Sequence, residues 1–181
     1  MPATKENASQ LNTQAIEFAS KGDFKEAIAC FQKALSIERN NYLLWFNLGV
    51  TYRDAGDLIR AKEALEKAYE IEEYDDEVIE SLAMLNYNLG FTEEALELCE
   101  EGILKNEANA RLWNTFGVIL FNNKNYTRAC FSFEKAITIN PYYYDALYNL
   151  RDTYEELGNT TGYAQCVEQM KSIKTDGMID A

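Results

Sequence analysis

A fixed period of 34 residues runs through the chain. Trp45 and Trp113 stand 68 residues apart, and each is followed by an apolar residue three positions on, then by Gly and Val. Half of that distance aligns five stretches without a gap: KGDFKEA at 21, AGDLIRA at 55, LGFTEEA at 89, NKNYTRA at 123 and LGNTTGY at 157. Self-similarity at a fixed period of this length indicates a protein built from stacked copies of one small unit.

Each repeat contains two helical stripes of apolar residues. The first stripe of the second repeat has the spacing i, i+3, i+4 and i+7 of one helix face, with Trp45, Leu48, Gly49 and Tyr52. The second stripe follows a short turn and contains Leu58, Ala61, Leu65 and Ala68. Only two prolines interrupt the 181 residues. The pattern therefore predicts a pair of helices in every repeat.

The turn between the two stripes has its own chemistry. Glycine suits the left-handed conformation that ends many helices, and it recurs here as Gly22, Gly56, Gly90 and Gly158. The next residue offers a side-chain acceptor to the first amides of the following helix, as Asp23, Asp57, Asn125 and Asn159. Asp23 with Glu26 predicts a capping box.

Small residues recur where the two helices of a repeat are expected to cross. They are Ala15, Gly49, Ala83 and Gly117 on the first helices, and Ala27, Ala61, Ala95 and Ala129 on the second helices. This pattern resembles the tetratricopeptide repeat family over about residues 8 to 174. The fourth repeat carries the family's preferred residues almost completely, as Trp113, Phe116, Gly117, Leu120, Tyr126, Ala129, Phe133, Ala136 and Pro141.

The resemblance implies an all-α fold, a right-handed superhelical solenoid of antiparallel helix pairs. We expect a flexible N-terminus at 1–7, a five-repeat domain at 8–174 and a C-terminal tail at 175–181. The five repeats are predicted at 8–41, 42–75, 76–109, 110–143 and 144–174. Asn86 replaces an expected aromatic residue, Arg151 a small one and Tyr163 an alanine. The fifth repeat is therefore interpreted as a degenerate terminal repeat that caps the stack.

Composition argues against several classes of function. The chain has no histidine, which removes His-based acid–base catalysis, catalytic triads and His-containing zinc sites. A net charge of −13 disfavours nucleic acid and anionic membranes as partners. No apolar run spans a bilayer and no export signal is visible, so we expect a cytoplasmic protein. We expect no enzyme activity, cofactor or metal.

Other eye-catching residues have ordinary structural interpretations. The seven acids between positions 70 and 80 are expected to form a solvated turn. All four cysteines, Cys30, Cys99, Cys130 and Cys166, fall on second helices and are expected to be buried, inert thiols. Trp45 and Trp113 occupy a core position of the repeat, so they are predicted to be packing residues.

The resemblance implies that the second, fifth, ninth and twelfth residues of each repeat point into a concave groove. Many of these residues are apolar, and amides flank them. An amide can donate to and accept from a peptide backbone at once. The predicted peptide-binding groove comprises Asn12, Ile16, Leu43, Phe46, Asn47, Val50, Arg53, Met84, Tyr87, Arg111, Asn114, Val118, Phe121, Asn122, Tyr148 and Asn149. The other interpretation is that these side chains pack against neighbouring helices or against a terminal helix in the groove.

The function predicted from these patterns is a protein–protein interaction scaffold. Its groove would bind a partner's apolar peptide or helix, and the partner segment would be apolar or basic. Two alternatives stay open: a homo-oligomerising assembly module, and a small acidic secretion-type chaperone for hydrophobic segments. The carboxylate clamp of chaperone-binding family members is rejected, because only Asn47 and Arg111 match it and no single register satisfies the set.

Overall fold

The structure, a computed structural model, describes residues 7–176, with side chains to residue 174. This range forms ten α-helices and no strand: α1 Ala8–Ser20, α2 Phe24–Ile37, α3 Tyr42–Asp54, α4 Leu58–Ile71, α5 Asp76–Asn88, α6 Thr92–Lys105, α7 Ala110–Asn122, α8 Tyr126–Ile139, α9 Tyr144–Glu156 and α10 Thr160–Asp176. Each predicted repeat therefore contains one helix pair. We call α1, α3, α5, α7 and α9 the first helices, and the others the second helices.

The chain divides into two compact units, Met1–Gly90 and Phe91–Ala181. The N-terminal unit contains α1 to α5, and the C-terminal unit contains α6 to α10. Within each unit every helix packs against the next one along the chain. The boundary lies inside the third predicted repeat, after its first helix. The single domain predicted at 8–174 stays a prediction.

The ends of the described region differ slightly from the predicted boundaries. Asn7 lies in the segment predicted to be a flexible N-terminus, but it is the N-cap of α1. Its side chain accepts from the Gln10 amide at 2.8 Å, and the Gln10 side chain accepts from the Asn7 amide. Helix α10 continues to Asp176, two residues into the predicted tail. The remaining residues of the predicted ends, 1–6 and 177–181, lie outside the described residues.

The turns between paired helices follow the sequence pattern closely. Gly22, Gly56, Gly90 and Gly158 all have φ between 68° and 87°. Lys124 takes the equivalent position in the fourth repeat with φ 60°, where a Cβ is strained. The predicted caps Asp57, Asn125 and Asn159 accept from amides of the next helix. The predicted capping box at Asp23 is wrong, because this exposed carboxylate makes no cap hydrogen bond.

Small residues bring the paired helices into close contact. A Cβ built on Gly49 would lie 2.8 Å from Leu65 Cγ, and one on Gly117 would lie 2.5 Å from Phe133 Cε1. The fifth repeat solves the same problem differently. There Arg151 replaces the small residue, and Gly162 of α10 lies against the Tyr154 ring, where a Cβ would come within 2.7 Å.

We predict that Lys124→Gly stabilises the protein by about 1 kcal/mol, because glycine relieves the strain of the left-handed backbone at this turn. Chemical denaturation followed by circular dichroism measures the free energy of unfolding. Lys124→Ala is the matched control, since it removes the long side chain but keeps the Cβ, and we expect no comparable gain from it. Equal stabilities of the Gly and Ala variants would contradict the prediction.

Candidate functional site

The sixteen predicted binding residues all lie on first helices, and none of them is buried. We call the exposed surface that they form in each unit the first-helix face of that unit. In the N-terminal unit it comprises Asn12, Ile16, Leu43, Phe46, Asn47, Val50, Arg53, Met84 and Tyr87. In the C-terminal unit it comprises Arg111, Asn114, Val118, Phe121, Asn122, Tyr148 and Asn149.

In the N-terminal unit, the face combines half-exposed aliphatic side chains with an amide pair. Ile16 on α1 is 48% exposed and Leu43 on α3 is 50% exposed. Between these helices, the Asn47 side-chain amide donates to Asn12 Oδ1 at 3.1 Å. This hydrogen bond links the first helices of two successive repeats.

In the C-terminal unit, the face contains a cavity of about 160 Å³ between α7 and α9. Four predicted residues line it together with Phe133 and Asp152: Val118, Phe121, Asn122 and Asn149. The Asn149 side-chain amide donates to Asn114 Oδ1 at 2.9 Å, which repeats the amide pair of the N-terminal unit. The Phe121 ring meets Tyr126 edge-on, with 5.2 Å between the ring centroids.

Pairing uses only part of the hydrogen-bonding capacity of these amides. A side-chain amide has two N–H donors and an oxygen with two lone pairs, and each pair joins one donor to one acceptor. Asn12, Asn47, Asn114 and Asn149 are all half-buried rather than enclosed. The pairs therefore orient the amides, and these partly exposed side chains keep further donors and acceptors that the pairing does not use.

Two arginines on or beside these faces are paired with carboxylates. Arg53 is paired with its neighbour Asp54 at 2.9 Å. Arg151 is hydrogen-bonded to Asp152, and its guanidinium lies 4.0 Å from the centre of the Tyr148 ring. The hydrogen bond that Arg151 donates to the Asp152 carboxylate raises the pKa of Arg151. These contacts hold the side chains of Arg53 and Arg151 in place.

Two tryptophan-lined cavities were not found by sequence reasoning. Trp45 and Trp113 are half-buried, so the prediction that they are core packing residues is only partly right. Each indole N–H donates to a backbone carbonyl in the preceding turn, that of Arg39 at 2.8 Å and that of Glu107 at 3.0 Å. An indole needs such an acceptor when buried, and this requirement holds the ring at a cavity wall. The 68-residue spacing of the tryptophans was the available signal.

The cysteines lie on second helices, as predicted, but their burial differs. Cys99 and Cys166 are buried, whereas Cys30 and Cys130 are half-buried. Burial, with the Glu134 carboxylate 3.5 Å from its sulfur, raises the pKa of Cys130 to about 12. Burial likewise raises the pKa of Cys166. Neither thiol is ionised near neutral pH, which opposes a nucleophilic role.

Residues 7–176 contain neither a metal-binding group of side chains nor a membrane-spanning helix. In that range no group of three or more Cys, Asp or Glu side chains is arranged to hold a metal ion. No helix there is both long enough and apolar enough to cross a bilayer. The acidic segment at 70–80 spans the end of α4, the turn at 72–75 and the start of α5, so the prediction of a turn holds only for its middle. In that turn Asp75 caps α5 by accepting from the Glu77 and Val78 amides.

Comparison with known proteins identifies the repeat. A family profile described as "TPR repeat" matches residues 16–56, and one described as "Tetratricopeptide repeat" matches residues 42–75 and 110–143. Together the two profiles cover more than half of the chain. They match the second and fourth predicted repeats over their whole length and the first predicted repeat in part.

The curated relatives have low sequence identity to this chain and are much longer than it. Superkiller protein 3 of Schizosaccharomyces pombe is 26% identical over 77% of this chain and 10% of its own length. A TPR repeat-containing protein of Methanocaldococcus jannaschii is 26% identical over 92% of this chain and 33% of its own length. The chain thus spans a third or less of these relatives.

Solved structures share the fold at low sequence identity. The crystal structure of MamA has a TM-score of 0.79 and 23% identity, covering 91% of this chain and 96% of that one. PilF of Pseudomonas aeruginosa has a TM-score of 0.81 and 17% identity, covering 91% and 75%. YrrB, described as a TPR protein with an unusual peptide-binding site, has a TM-score of 0.69 and 22% identity, covering 95% and 89%. These similarities establish an all-α repeat fold of this type.

We predict that iodoacetamide alkylates Cys130 in the folded protein at pH 8 at least 100-fold more slowly than in the urea-unfolded chain. A pKa of about 12 rather than 9 leaves roughly a thousandth of the thiolate at that pH. Mass spectrometry of the alkylated peptides gives the site-specific rate. Glu134→Gln should accelerate the folded-state reaction, because it removes a negative charge beside the sulfur. Similar rates in the folded and unfolded chains would contradict the prediction.

Proposed function

Because the chain belongs to the tetratricopeptide repeat family, we propose that it is a protein-interaction scaffold whose first-helix faces bind an apolar segment of a partner protein. The observation that carries this proposal is the exposure of aliphatic and aromatic side chains on the first helices of both units. Exposed apolar clusters on folded proteins commonly mark interaction sites. YrrB, a solved structure of similar fold, is described as having an unusual peptide-binding site, which agrees with this class of function.

The proposed mechanism is binding to a preformed surface. Phe46 in the N-terminal unit and Phe121 in the C-terminal unit would act as anchors, each contributing roughly 1 to 3 kcal/mol when a ligand removes it from water. Paired amides beside them would accept and donate hydrogen bonds to a partner backbone. In the C-terminal unit the 160 Å³ cavity next to Val118 suits one partner side chain of moderate size.

Catalysis plays no part in this proposal. The absence of histidine and the raised pKa values of Cys130 and Cys166 argue against a nucleophilic or acid–base site. Homo-oligomeric assembly, a secretion-type chaperone role, a partner segment of basic character and a cytoplasmic location stay predictions. We favour the scaffold role because it uses the exposed first-helix residues directly.

The test is selection of ligands from a displayed library of random 12-residue peptides on the wild-type protein. We expect the selected peptides to share an apolar core and to lose at least tenfold in affinity with Phe46→Ala or Phe121→Ala, depending on the unit that they occupy. The reason is that each phenylalanine supplies a large desolvated contact. Fluorescence polarisation of the labelled peptides measures the affinity.

Ile59→Ala is the matched control, since Ile59 is 64% exposed on the second helix α4 and lies outside both faces. This variant should bind the selected peptides with unchanged affinity. Circular dichroism checks that all three variants remain folded. Failure to enrich any apolar sequence, or peptides whose affinity is insensitive to both phenylalanine changes, would refute the proposal.

A further inference from the structure

A large cavity in the N-terminal unit is lined by residues that do not belong to the first-helix face. This Trp45 cavity has a volume of about 700 Å³ and lies where the second helices α2 and α4 pack against α3. Its volume falls within the range typical of ligand pockets. Phe46 and Val50, which belong to the first-helix face, do not line it.

The floor of the Trp45 cavity is apolar and well ordered. It consists of Leu35, Trp45, Leu48, Tyr52 and Ala64. The Trp45 indole is fixed by its hydrogen bond to the Arg39 carbonyl, and the Tyr52 hydroxyl accepts from the Gln32 side chain at 3.1 Å. An ordered aromatic floor accepts an aliphatic or aromatic side chain at little entropic cost.

The rim of the same cavity reverses the charge balance of the chain. Overall, acids outnumber bases by 30 to 17, yet the cavity lining contains Arg39, Arg60 and Lys67 against a single acid, Glu63. The Arg60 guanidinium also lies 4.6 Å from the centre of the Tyr52 ring, which holds it at the edge of the floor. The residues that line the cavity therefore carry a net positive charge next to an apolar surface, and the carboxylates that pair with Arg60 and Lys67 lie outside the lining.

The rim cations are accessible to an incoming carboxylate. Arg39 is exposed, and no side chain among residues 7–174 pairs with its guanidinium. Arg60 pairs with Asp57, and Lys67 pairs with Glu70, in exposed contacts along one helix. Exposed pairs of this kind contribute little to stability, so exchanging one for a ligand carboxylate costs little.

The equivalent cavity in the C-terminal unit has a different rim. This Trp113 cavity has a volume of about 510 Å³, and Leu104 and Phe131 line it where Ser36 and Glu63 line the other. Glu107 stands in the turn where the N-terminal unit has Arg39. The arginine that lines the Trp113 cavity, Arg128, is paired with Glu100, which also lines that cavity. The same repeat architecture thus produces one cationic cavity and one apolar cavity.

We infer that the Trp45 cavity binds an acidic segment of a partner protein, with one Leu or Phe side chain on the apolar floor and flanking carboxylates at Arg39 and Lys67. This site is separate from the first-helix faces and gives the scaffold a second partner of opposite character.

A tryptophan fluorescence titration tests this inference. In the Trp113→Phe variant, Trp45 is the only tryptophan, so its emission reports on the cavity. The probe is the acetylated peptide Glu-Asp-Glu-Leu-Phe-Glu-Asp-Glu. We expect saturable binding that changes Trp45 emission and weakens at least threefold between 50 and 300 mM salt, because charge attraction is screened. A peptide with Gly-Gly in place of Leu-Phe, and one with Lys in place of every acid, should each bind at least tenfold more weakly.

Arg39→Glu is the decisive variant, since it copies the charge at Glu107 in an exposed turn and leaves the backbone acceptor of the Trp45 indole in place. We expect it to weaken binding at least tenfold, whereas Phe46→Ala on the first-helix face should leave binding unchanged. Isothermal titration calorimetry of the wild type and Arg39→Glu repeats the comparison without the tryptophan substitution.

Any one of the following results would overturn the inference. They are no binding of the acidic Leu-Phe peptide up to 1 mM, equal affinity for Arg39→Glu and the wild type, or equal affinity for the acidic and basic peptides. A loss of binding in Phe46→Ala alone would assign the peptide to the first-helix face and would also overturn it. The result for the acidic peptide does not decide the proposed function of the first-helix faces, which the peptide-library selection tests separately.

Discussion

The close contact between the two helices of a repeat is the constraint on which the rest of the structure depends. At Gly49 and Gly117 the backbone of a first helix lies directly against Leu65 and Phe133 of its partner, and a Cβ at either glycine would overlap those side chains. Such a contact fixes the rotation of each helix about its axis. The other residues are consequently divided into those that fill the core and those that point outward.

That division leaves chemically different surfaces in one small chain. On the first helices, Asn–Asn hydrogen bonds join successive repeats and hold amides beside half-exposed apolar side chains. Between second helices, an indole anchored to the preceding turn forms the floor of a cavity. The rim of that cavity varies between repeats without disturbing the core, because Arg39 and Glu63 are exposed. A repeat fold thereby permits separate surfaces to acquire separate charges.

The sequence predicts the regular parts of this structure well. A 34-residue period with paired apolar stripes predicts the ten helices, the glycine turns and three of the four caps expected after those turns. The fifth repeat was harder, because Gly162 supplies the close contact one position before the expected alanine, beside Tyr154. The predicted binding residues lie outside the buried core, and their role stays a prediction. The Trp45 cavity was missed since it requires side chains from three helices to be seen together.

Two adjacent leucines test most directly whether the repeat pattern separates the core from the outward surface. Leu43 is 50% exposed on α3, whereas Leu44 beside it is 2% exposed. The free energy of unfolding should fall by about 2 to 5 kcal/mol for Leu44→Ala, and by less than about 1 kcal/mol for Leu43→Ala. Comparable losses for the two variants would show that Leu43 belongs to the core, and the assignment of outward surfaces would then be wrong.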